Sequence, residues 1–152
     1  MKMKRPLLGL LLALGSVSAY AQCANEDIPG TWFLFGIRFP GTASPPDEVI
    51  TPFRCKLVFD DSNNIVVDQS FCRLVDGTAL ELPSGGPLNV NSTCRVLGTF
   101  DFLQDGELTI RGQLSTDETT FHAVARALDG AGGEIKTWQF DAVKRPAPQQ
   151  LQ

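Results

Sequence analysis

"STDETTFHAVARALDG", residues 115–130, decides the fold class, because it reads either as a helix or as a strand. For a helix, Ser115 stands three residues before Glu118, the spacing of a capping box. Phe121, Val124, Ala125 and Leu128 then recur at helical spacing, and Gly130 sits where a C-cap belongs. For a strand, Thr119, Thr120 and Phe121 favour the extended chain. The next run, "EIKTWQFDAV" (134–143), follows a glycine-rich "DGAGG" that closes a hairpin at residues 129–133. We read the segment as a strand, which makes the chain all-β.

The same grammar holds on either side: short runs of alternating or continuous apolar residues, punctuated by turn residues. "STCRVLGTFDFLQ" (92–104) and "ELTIRGQL" (107–114) flank Asp105-Gly106, a strong hairpin signal. "FRCKLVFD" (53–60) and "IVVDQSFCRLV" (65–75) pair around the turn at residues 62–64, and "TALELP" (78–83) is a weaker strand leading into the loop "SGGP". Residues 31–39 form the first strand. The segment "PGTASPPDEVITP" (40–52) carries four prolines and reads as an extended crossing. These make about eight strands joined mostly by hairpins. A meander of that size must curl and close, or split into two packed sheets, to bury its apolar faces. We expect a small antiparallel barrel, with a β-sandwich as the alternative.

The first strand carries more apolar surface than one buried face requires. Trp32, Leu34, Gly36 and Arg38 fall on one side, and Phe33, Phe35, Ile37 and Phe39 on the other. If the first row enters the core, with Gly36 easing a bend, the second is either sealed by the 40–52 loop or offered to something outside.

The amino terminus addresses the compartment. Lys2, Lys4 and Arg5 precede an apolar stretch over residues 7–14, and Ala19-Tyr20-Ala21 fits a small-x-small cleavage pattern. The stretch is shorter than the ~20 residues a spanning helix needs. Cys23 lies near the cleavage point, but Gln22 stands before it where lipidation motifs want a small residue. We read residues 1–21 as a cleaved bacterial export signal, 22–145 as a single β domain and 146–152 as a disordered tail. The mature chain is then periplasmic or secreted, with no transmembrane anchor. The whole chain has a net charge of −4, and cleavage removes three positive charges and no negative ones. An acidic chain is repelled by phosphate backbones, so nucleic acid is not an expected partner.

All four cysteines, Cys23, Cys55, Cys72 and Cys94, lie beyond the signal, which in an oxidising compartment implies two disulfides. No Cys-x-x-Cys pair suggests zinc. Three connectivities are possible. Cys55 and Cys72 flank the turn "DDSNN" (60–64), which favours Cys55–Cys72 with Cys23–Cys94. The hairpin register leaves this open. A two-residue loop sets the cysteines opposite each other and Phe59 against Asp68, whereas a three-residue loop sets Phe59 against Val67.

Three groups of residues resemble the lipocalins and the wider calycin barrels. Gly30-Thr31-Trp32 resembles the Gly-x-Trp that opens the family's first strand. Thr116-Asp117 lies in the turn where the family carries Thr-Asp-Tyr, although Glu118 replaces the tyrosine. Arg145 follows the last strand near the position of the family's arginine. The resemblance implies a barrel holding a small apolar ligand, with Arg145 packed across Trp32 at one end by a cation–π contact.

Catalytic constellations are sparse. His122 is the single histidine, so any Ser-His-Asp or Cys-His arrangement would have to use it. There is no Gly-x-Ser-x-Gly elbow, and disulfide-bonded cysteines cannot act as nucleophiles. Asp60, Ser62 and Asn64 alternate as in a calcium loop, but Ile65 and Phe71 occupy the places of the required glycine and glutamate. Asn91-Ser92-Thr93 fits a glycosylation acceptor. We expect no enzyme activity, no cofactor and no metal. The expected function is an exported binding module for an apolar small molecule or an envelope or secreted protein, with Trp32, Phe33, Phe35, Ile37, Phe39 and Arg145 as its candidate contacts. The alternative is an exported inhibitor of a protease or lysozyme, docking by the loops at 40–52 and 83–87.

Overall fold

A computed structural model describes residues 23–41, 49–80, 84–102, 106–128 and 133–146. The proposed signal at 1–21, most of the crossing loop (42–48), residue 83 of the second candidate loop, and residues 147–152 of the tail lie outside that set.

The chain is all-β. Its strands are β1 (Gly30–Pro40), β2 (Thr51–Phe59), β3 (Phe71–Leu74), β4 (Ala79–Leu80), β5 (Ser84–Gly85), β6 (Asn89–Val90), β7 (Arg95–Phe102), β8 (Gly106–Leu114), β9 (Thr120–Leu128) and β10 (Glu134–Lys144). They form one antiparallel sheet in the order β4-β3-β2-β1-β10-β9-β8-β7-β5, with β6 also on β7. It is a meander with β1 and β10 joined, curled into a half-barrel. Strand β5 lies in "SGGP" (84–87), which reads from sequence as a loop, and β6 follows just after it.

Residues 115–128 are a turn and a strand, as read, and residues 129–132, where the next hairpin is expected to close, lie outside the described residues. Along β9 the inward residues are Phe121, Ala123, Ala125 and Ala127, a period of two, while Leu128, part of the competing helical pattern, is exposed. The residues that imitate a helix cap build the β8–β9 turn instead. Ser115 Oγ donates to Asp117 and accepts from the Thr120 amide, and Glu118 takes a left-handed φ of 59°.

Curling puts the inner row of every long strand into one core. Trp32, Leu34, Phe53, Leu57, Phe100, Leu108, Ile110, Phe121, Trp138 and Phe140 are all buried there. The rings meet edge to face, Trp32 on Phe121 at 5.0 Å and Phe53 on Trp138 at 4.6 Å. The alanines of β9 are the small side chains that let these rings in. Gly36 has a packing role. A Cβ there would lie 2.6 Å from Phe140 Cβ and 2.8 Å from the Phe53 ring. The bare backbone therefore makes room for two aromatic side chains.

Both disulfides have the favoured connectivity, Cys23–Cys94 and Cys55–Cys72. This is consistent with an oxidising extracellular compartment. Neither simple loop explains the second pair. Phe59 bridges Ile65, and a three-residue 3-10 turn (Val67–Gln69) then takes up the offset, so that Cys55 meets Cys72 across β2 and β3. Among the described residues no helix is long and apolar enough to cross a membrane.

Candidate binding face on the outer side of the sheet

Among the described residues, the inner face is tightly packed at its centre. The void among Leu34, Phe53, Leu57, Trp138 and Phe140 is about 10 Å³, no larger than one water molecule requires. Trp32 is fully buried, and its indole N–H donates to the Ile28 carbonyl at 2.7 Å. It belongs to the core and makes no surface contact. The cation over its ring is Lys144, at 5.5 Å, whose ammonium also donates to the Asp27 carbonyl. Arg145 is exposed, and its backbone amide donates to the Thr31 carbonyl. The Trp32–Arg145 contact implied by the lipocalin resemblance is thus made by the neighbouring lysine. Each residue after Val143 alternates sides, and position 144 is the one directly opposite Trp32.

The second row of β1 does face outward. Phe35 is 60% exposed, Ile37 41% and Phe33 37%, while Phe39 near the strand end is half-buried. Their neighbours follow from register. Phe33 lies opposite Lys56, and Lys56 opposite Phe71; Phe35 lies opposite Arg54, and Arg54 opposite Arg73. Side chains at directly opposed positions project to the same side of a sheet. The result is a trough of about 430 Å³ lined by Phe33, Phe35, Phe71, Arg54, Lys56 and Arg73. A second hollow, lined by Phe35, Arg54, Pro52 and Val75, continues it toward the β3–β4 turn.

The charged side chains that line the trough are all positive. Arg73 lies 5.9 Å from the Phe71 ring, and none of Arg54, Lys56 and Arg73 forms an ion pair among the described residues. The nearby carboxylates are engaged elsewhere. Asp76 accepts from the Thr78 amide at 2.8 Å, and the hydrogen bonds from Thr78, the backbone one first, hold its pKa below the ordinary value. Asp141, opposite Phe35, is hydrogen-bonded to His122 Nδ1.

The other candidate chemistries resolve into local structure. His122 and Asp141 stand on the open outer face with about three-quarters of each side chain exposed, and no described nucleophile is bonded to either. Asp60 Oδ1 accepts from the amides of Ser62 and Asn64, so the would-be calcium loop is an Asx-type turn. Asn91 Oδ1 accepts from the amides of Thr93 and Arg95 in the same manner. Sequence reasoning found the β1 side of the trough and missed Arg54, Lys56, Phe71 and Arg73. The favoured Cys55–Cys72 pairing held the missing signal, since it fixes the register that sets Lys56 against Phe71 and Arg54 against Arg73.

No family profile matches this chain, and no curated protein matches it.

Proposed function

We propose that the chain is an exported binding module without catalytic activity, and that its docking surface is the outer face of β1, β2 and β3. The observation that carries this reading is three exposed phenylalanines, Phe33 and Phe35 on β1 and Phe71 on β3, walling one trough across β2. Exposed apolar side chains gathered in a concavity mark a ligand or partner site far more often than the same residues scattered singly. The filled interior supports the same reading by leaving the outer face as the place for an apolar ligand. Two disulfides suit a small domain that must keep its shape outside the cell.

The test joins native mass spectrometry of protein isolated from a bacterial periplasm with titration by the neutral dye Nile red. The expected result is signal cleavage near residue 21, together with a dye response that disappears in the Phe35→Ser, Phe71→Ser double variant. Both positions are exposed, so that variant should melt within a few degrees of wild type. A bare oxidised mass and no dye response, or a response indifferent to the double variant, overturns the reading.

A further inference from the structure

Arg54 and Arg73 are directly opposed across β2 and β3, both exposed, with Lys56 one row along. Like charges at directly opposed positions destabilise a sheet, and no carboxylate among the described residues pairs with either arginine. Two arginines at directly opposed positions on one face supply guanidinium donors to a single planar anion. Building on the binding-module reading, we infer that the trough binds a long-chain carboxylate, with its headgroup between Arg54 and Arg73 and its alkyl chain against Phe33, Phe35 and Phe71.

Three observations favour this occupant over others. The trough, at about 430 Å³, has the size of a small-molecule site. β1, β2 and β3 satisfy one another's backbone groups, so the face offers a peptide no main-chain hydrogen bonds; an alkyl chain needs none. The acidic chain as a whole opposes a polyanion, whereas one carboxylate meets Arg54, Lys56 and Arg73 in the trough, with Asp141 beside Phe35 hydrogen-bonded to His122. From the Arg54 row at Phe35, the apolar surface runs about 7 Å to Phe33 and Phe71 one way and about 7 Å to Ile37 the other, at about 3.3 Å per residue.

The experiment is calorimetric titration of the oxidised full chain with sodium dodecanoate below its micelle concentration, and with dodecyltrimethylammonium as the matched cation. Wild type should bind one dodecanoate and discriminate against the cation. Arg54→Gln, Arg73→Gln should weaken dodecanoate by about tenfold or more while keeping the Nile red response, and its melting temperature should hold or rise as the repulsion is relieved. Equal affinity for the two amphiphiles, or an unchanged dodecanoate affinity in the double variant, overturns the inference. So does a wild-type dimer that dissociates on Phe35→Ser, which makes the occupant a second copy. Tighter binding of an alternating Glu-Phe peptide than of dodecanoate overturns it in favour of an acidic protein segment. A Nile red response without dodecanoate binding removes the carboxylate and leaves the binding module standing; loss of both removes both.

Discussion

Trp32 shows how one residue ties a chain end to the sheet. Its ring packs on Phe121, its N–H reaches the Ile28 carbonyl, and Lys144 covers it from β10. Ile28 is itself fully buried, so its carbonyl has no water to turn to. Trp32→Phe keeps most of the apolar area and leaves that acceptor unpaired, an expected loss of about 1–3 kcal/mol. Lys144→Met removes the ammonium and should cost about 1 kcal/mol. Arg145→Gln, at an exposed side chain, should stay within about 0.5 kcal/mol of wild type. Urea denaturation of the three variants checks the ordering, and a larger loss at Arg145 than at Lys144 would restore the arginine to the role the lipocalin resemblance assigns it. The alternation of β1 already showed Trp32 and Leu34 on one side and Phe33, Phe35 and Ile37 on the other, because that property depends on neighbouring residues alone. Which of two adjacent cations covers Trp32 depends on the register between the first and last strands, a relation between residues more than a hundred positions apart.

At the scale of elements, the turns carry the information that was hardest to extract. Ser, Asp and Thr build hairpin turns with the same side-chain hydrogen bonds that cap helices, so Ser115 and Glu118 are ambiguous until the partner strand is known. The eight-strand meander was legible because apolar alternation is local. β5 and β6 were not, since they are two residues each and pair with β7 through backbone groups alone. The 3-10 turn at Val67–Gln69 was also hidden, and with it the β3 half of the trough, because the polar Asp68-Gln69-Ser70 inside "IVVDQSFCRLV" carries no glycine or proline to mark a turn. The β8–β9 turn makes a prediction of its own. Hydrogen bonds to Asp117, first from Ser115 and then from Thr119, hold its pKa below the ordinary 3.8. A carboxylate depressed in the folded state stabilises the turn above the unfolded pKa, and that support is lost as pH falls through the folded value. The Thr119 amide shift should therefore titrate with a midpoint below 3.8 in an acid NMR series and stay flat in Asp117→Asn. A midpoint at or above the ordinary value removes the turn's acid sensitivity.

For the whole molecule, the question is how a curled sheet with two free ends keeps its interior dry. The ends, β4 on one side and β5 with β6 on the other, flank the segment after β2. There the Ile65 amide donates to the Gly85 carbonyl at 3.0 Å and the Leu88 amide to the Asn63 carbonyl at 3.1 Å. These two bonds clip the β2 side of the sheet to the β7 side over Leu88, Phe59 and Phe100, all buried. Gly86 is the residue that allows the clip. Its φ is +108°, and a Cβ would stand 2.8 Å from the Asn63 carbonyl oxygen and 2.9 Å from Asn64 Cα. Gly86→Ala therefore meets both a backbone conformation that side chains resist and a clash with backbone that cannot swing away. The expected cost is about 1–3 kcal/mol, read as a lower denaturation midpoint. Hydrogen exchange should speed up first at the Ile65 and Leu88 amides, while those of Phe35 and Asp141, paired in the middle of β1 and β10, remain protected. Because the clip lies away from the β1–β3 trough, dodecanoate affinity should be unchanged in the same variant. Uniform loss of protection would mean that the clip and the sheet open together, and weakened dodecanoate binding would mean that the outer face depends on the seam.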